Sequence, residues 1–135
     1  MRTFLAIAIL ASLAASGRAQ APTASTPSDE TPTQFYLRYR DLVQKATNIE
    51  DVIALWSADQ VTEFKAAPEA SRVGLADVKR VYAAFTDVKV VKEMATPNYA
   101  TLSLEGLTAD KKQAAGTAVL IKENGAWKVT GLESW

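Results

Sequence analysis

The chain contains no cysteine and no histidine. Without cysteine there are no disulfide staples, no thiol nucleophile and no thiolate metal site. The lipobox cysteine of a bacterial lipoprotein is also missing, so no lipid anchor is expected. Without histidine, the usual ligand for transition metals and the usual proton carrier near neutral pH are both missing. A metal site would have to be built from oxygen ligands alone, and no D-x-D-x-D-G loop supports one, so no cofactor is expected. Neither sign of charge is in excess: 15 basic residues balance 15 acidic ones. Such a chain lacks the basic footprint that neutralises phosphates, which argues against a nucleic-acid partner. Its 135 residues, 48% apolar and 22% charged, suit one ordinary globular domain.

The longest uncharged, mostly apolar run is FLAIAILASLAA, Phe4 to Ala15, preceded by Arg2. It is too short for a membrane span, which needs about 20 apolar residues, and it has the length of a secretory signal core. The small pair Gly17 and Ala19 predicts cleavage after Ala19, making residues 1–19 a signal peptide. The pair Ala19 and Ala21 would put Pro22 just after the cut, a poor site. Cleavage removes Arg2 and Arg18 and leaves a net charge of −2. The product is expected to be periplasmic or secreted. Residues 20–32, QAPTASTPSDETP, hold three prolines and five Ser/Thr and almost no large apolar side chain. They cannot bury enough surface to offset their ordering entropy, so a disordered spacer is expected.

From Thr33 a helical half precedes a strand half, which predicts an α+β domain over 33–135. Phe35, Tyr39, Leu42 and Ala46 recur at spacings of four, three and four, the stripe of a first helix. Asn48 and Asp51 have capping spacing and open a second helix through Trp56. Ser57 and Gln60 repeat that spacing before Val61 and Phe64, and Ala67–Pro68 breaks the chain. Leu75, Val78, Tyr82 and Phe85 mark a third substantial helix. After Asp87 the period becomes two: Val88 and Val90, then Ala100, Leu102 and Leu104. Asn124-Gly125 is a strong hairpin signal, because a type I′ turn needs positive φ at both positions. Four antiparallel strands with the helices on one face follow. The third strand, near Ala114–Ile121, is apolar on both faces. It is expected either to be central or to meet a partner, with Thr117, Val119 and Ile121 the partner-facing set.

The helices-then-four-strands order, the hairpin TAVLIKENGAWKV (Thr117 to Val129) and the final Glu133-Ser134-Trp135 together resemble the NTF2-like superfamily, a cystatin-like fold. The closing hairpin is similar to that of many secreted bacterial members of unknown function. The resemblance implies helices packed on a curved four-stranded antiparallel sheet, forming a cone with an open mouth. Some members use that cone as an enzyme site and others bind ligands or partners, so it does not fix a function. No catalytic residue of the superfamily carries over to this chain.

Tyr36, Tyr39, Trp56, Tyr82 and Phe85 are the candidates to line such a cone and hold a small apolar ligand. Each also falls on or beside a buried helical stripe, where it would be plain core. Arg38 and Arg40 could clamp an anion, but a solvated helix face beside Asp41 is the expectation. Glu133, so near the end of the sequence, is expected to be exposed. Asp77 and Asp87 fit caps and turns, and Lys89, Lys92, Lys111 and Lys112 fit edge and loop protection. The expected function is a non-catalytic exported module binding a small apolar ligand or a protein partner. The alternatives are an acid–base enzyme pairing Asp or Glu with Tyr, and a homodimer formed through the sheet face.

Overall fold

The computed structural model describes residues 29–131 and 133–135. The expected signal peptide and most of the expected spacer lie outside these residues. The end of that spacer belongs to the fold. Thr31 caps helix α1 (Pro32–Lys45) by accepting from the Gln34 amide, and the Gln34 side chain accepts from the Thr31 amide in return. Pro32, at the first helical position, loses nothing by lacking an N–H there. Glu30 pairs with Arg38 at 2.7 Å, and its carbonyl accepts from Trp127 Nε1 at 3.0 Å.

Asn48 caps α2 (Ile49–Ile53) through the Asp51 amide, and Ser57 caps α3 (Ala58–Ala66) through Gln60, as the spacing predicts. Helix α2 stops three residues short of Trp56. Residues Leu55 to Ser57 instead run beside the last strand, exchanging backbone hydrogen bonds with Val129 at 2.8 and 2.9 Å. A 3₁₀ turn (Glu69–Ser71) leads to α4 (Leu75–Ala83). That helix ends before Phe85, which lies beyond it.

The strands β1 (Thr86–Ala95), β2 (Tyr99–Leu107), β3 (Gln113–Glu123) and β4 (Ala126–Val129) form one antiparallel sheet in sequence order. Asn124 (φ 50°) and Gly125 (φ 79°) make the hairpin turn with positive φ at both positions. The period-two alternation of β2 buries Ala100, Leu102 and Leu104. In β3 Ala118 and Leu120 are buried, while Thr117 is exposed and Val119 and Ile121 are half-buried on the opposite face. The apolar run of β3 is thus one core face and one outer face. In β1 Val88 and Val90 are partly buried against the core with Lys89 exposed between them, as expected, and a register shift between Val90 and Lys92 leaves Val91 49% exposed.

The core lies between the inner sheet face and α1, α2 and α4. It joins Phe35, Tyr39, Val43, Val52, Val78 and Tyr82 to Leu102, Leu104, Leu120 and Trp127. Glu93 of β1 ties sheet to helix over a long sequence separation. Its carboxylate accepts from the Thr33 amide at 3.0 Å and the Thr33 hydroxyl at 2.5 Å, at the N-terminus of α1 where negative charge is favoured. Among the described residues no helix is long and apolar enough to cross a membrane.

Candidate functional site

Three side chains that the sequence spreads across 97 positions meet inside the fold: Tyr36, Arg40 and Glu133. Helix α1 presents Tyr36 and Arg40 one turn apart, so both lie on one face. The Tyr36 hydroxyl donates to Glu133 Oε2, and Arg40 Nη1 donates to Glu133 Oε1 at 2.5 Å. Arg40 Nη2 donates to the carbonyls of Tyr82 at 2.7 Å and Phe85 at 3.2 Å, which ties the loop after α4 to α1. The Glu133 side chain is 1% exposed and that of Arg40 13%. Both expectations from the sequence are thereby corrected: Arg40 is not on a solvated face, and Glu133 is not exposed. Arg38, its neighbour on the other side of Tyr39, does remain largely in solvent, bound to Glu30.

The sequence could not signal this pair, because its partners are 93 residues apart. Burial of either charge is tolerable only with the other present. Burial opposes the Arg40 charge, but the hydrogen bonds and charges of Glu133 and Tyr36 outweigh it and raise the pKa further. Burial first, then the hydrogen bond and charge of Glu133, pushes the Tyr36 phenol well above its ordinary range. Burial likewise raises Tyr39 and Tyr82, in each case the largest cause.

The aromatic candidates fall into two groups. Tyr36, Tyr39 and Tyr82 are buried. Tyr39 stands edge-on to Tyr82 at 5.4 Å and accepts from Trp56 Nε1 at 2.9 Å. The residues lining the hollows beside β1–β3, beside α1 and α2, and beside α3 do not include these tyrosines or Phe85. Trp56 borders the last of these, a hollow of about 210 Å³, with Phe64 and Val73. Phe85 lies face to face with Trp135 at 4.1 Å.

Trp135 fills the space between Phe85 and the sheet. Its indole lies on Gly116 and Gly106, where a Cβ would come within 2.6 and 3.1 Å of the ring. A side chain at Gly116 would also strike the Ser134 carbonyl, so that position has room only for hydrogen. Ser134 and Thr117 exchange backbone hydrogen bonds at 2.7 and 2.9 Å, placing residues 133–135 beside β3. Glu133 and Trp135 therefore both reach the core from the same short segment, Glu133 with its side chain buried and Trp135 partly so.

Chemically, this is a closed arrangement. Both Glu133 oxygens are bound, and both Arg40 terminal nitrogens are used. A general acid or base must reach the proton it moves, and the Glu133 side chain is 1% exposed.

The outer sheet face is open by comparison. Tyr99 pairs with Ile121 across β2 and β3, and Thr101 pairs with both Met94 and Val119. Met94 is 57% exposed and Tyr99 46%. Thr117, Val119 and Ile121 all lie on this face.

No family model, no curated protein and no solved structure matches the chain. The fold and site stand on their own geometry: helices packed on a four-stranded antiparallel sheet, an α+β class.

Proposed function

We propose that this protein is an exported, non-catalytic binding module of NTF2-like type that works through the open face of its sheet. The observation that carries this reading is the apolar cluster of Met94, Tyr99, Val119 and Ile121 on the face away from the helices. Large exposed side chains gathered in one patch mark interaction surfaces more often than isolated ones do. The basic start and apolar run of residues 1–15 support export. The order of helices and then four meandering strands supports the NTF2-like assignment.

The occupant that this face fits is a second copy of the chain. By register Lys92 faces Ser103 and Lys128 faces Ile121 beside the patch. Lys128 donates to the Ala54 carbonyl, while Glu105 pairs with Lys89 at 3.9 Å and Glu123 accepts from the Ala58 amide. A two-fold contact lets each patch cover its equivalent.

Sedimentation of the cleaved chain, from low to high micromolar concentration, tests this. A dimer is expected, and Tyr99→Lys combined with Val119→Lys should return it to monomer with unchanged circular dichroism. A wild-type protein that stays monomeric throughout refutes self-association through the face. An unchanged dimer in the double variant places the contact elsewhere.

A further inference from the structure

Glu133 and Trp135 reach in against the core as a bound ligand would, with Ser134 between them exposed. Glu133 supplies a carboxylate to Arg40 Nη1 and the Tyr36 hydroxyl. Trp135 supplies a flat ring to a slot with Phe85 on one side and the bare backbone of Gly106 and Gly116 on the other. Two features mark this segment as separable from the core. The described segment meets β3 through a single pair of backbone hydrogen bonds, Thr117 with Ser134. The Trp135 indole N–H is buried without a hydrogen-bond partner, a cost that the surrounding core residues do not bear.

We propose that residues 133–135 occupy, in cis, a binding site for a small aromatic carboxylate, which such a ligand takes when the segment swings out. Arg40 and Tyr36 form the acid-binding end; Phe85, Gly106 and Gly116 form the aromatic slot. In an extended chain, side chains two residues apart stand about 7 Å from one another, which sets the ligand's spacing between ring and acid. An indole ring on a short alkanoic acid chain has this form. Its planar carboxylate matches the guanidinium, and its ring replaces the Trp135 indole. The site is distinct from the outer sheet face and does not depend on it.

The closed segment competes with the ligand. If the site is open about 1% of the time, the apparent affinity is about 100-fold below that of an empty site. The test uses indole-3-butyrate and its uncharged amide as probes of the full cleaved chain, followed by calorimetry and amide hydrogen exchange.

Three results are expected. The wild type binds the acid, and binding speeds exchange of the Ser134 amide. The amide probe binds at least about tenfold more weakly, since it lacks the charge that Arg40 recognises. Trp135→Ala, which empties the aromatic slot, binds the acid at least about tenfold more tightly than wild type.

The wild-type measurements stand even if that variant fails to fold. Before any ligand is added, the Ser134 amide should exchange at least about a hundredfold faster than the slowest amides of the β2–β3 ladder. Equal protection of Ser134 and that ladder, with no binding of the acid to wild type at millimolar concentration, overturns the proposal. Equal affinity for acid and amide overturns the assignment of Arg40 and Tyr36 as the acid-binding end.

Discussion

Replacing Arg40 by Met removes one half of a buried ion pair and leaves the other half behind. The Glu133 side chain, 1% exposed, would keep only the Tyr36 hydroxyl as a donor. Leaving one charge of such a pair uncompensated costs about 3–5 kcal/mol. The carbonyls of Tyr82 and Phe85 also lose their donor, at roughly 1 kcal/mol each where water does not replace it. A domain of this size is stable by about 5–15 kcal/mol, so the loss is a large fraction of the whole. At about 4–8 °C per kcal/mol, Tm should fall by roughly 12–40 °C.

Glu133→Gln should cost a comparable amount. The Arg40 guanidinium stays charged and its side chain is only 13% exposed. The double variant Arg40→Met with Glu133→Leu is the decisive member of the cycle. It removes both charges together, so its cost should fall below the sum of the single costs by about 2 kcal/mol or more. Urea unfolding followed by circular dichroism gives all four stabilities. Single variants that each cost no more than about 1 kcal/mol, the range of exposed ion pairs, would refute the reasoning and place Glu133 in solvent.

Tyr36, Tyr39 and Tyr82 all have folded pKa values above their ordinary value of 10.0, chiefly through burial. Above that pH the unfolded chain gives up phenolic protons that the folded chain keeps. The stability is therefore fully present below pH 10 and falls as pH rises beyond it, by up to about 4 kcal/mol per pH unit for three such groups. Absorbance of phenolate at 295 nm and loss of far-ultraviolet circular dichroism should rise together. Phenolate from all four tyrosines appearing near pH 10 with the fold intact would contradict the burial. Trp56→Phe keeps a ring against Phe64 but removes the 2.9 Å hydrogen bond to the Tyr39 hydroxyl. It should cost about 1–3 kcal/mol in urea unfolding, and a neutral result would mean that water reaches Tyr39.

The features legible in the sequence are those governed by neighbours along the chain. Asn48 and Ser57 show their capping roles by spacing alone, because a cap needs only an amide three residues on. Asn124-Gly125 shows its turn because positive φ is a property of the dipeptide. The alternation of β2 shows its buried face because successive side chains point to opposite sides. These signals carry the α+β class and the register of the closing hairpin.

The tertiary structure decided what depends on residues far apart. Glu93 lies on an exposed strand by pattern, yet it meets the Thr33 amide 60 positions away. Trp56 stands where a helix was expected to end, and Val129 draws its backbone into the sheet instead. Arg40 and Glu133 each read as solvated when taken alone, since a lone charge is costly to bury. Only folding brings the two within hydrogen-bond distance, along with Tyr36 and the Tyr82 carbonyl, and that pairing makes their burial possible. The interior is likewise filled from a direction that no local pattern shows: a two-residue step from Glu133 to Trp135 enters over glycines that leave room for it.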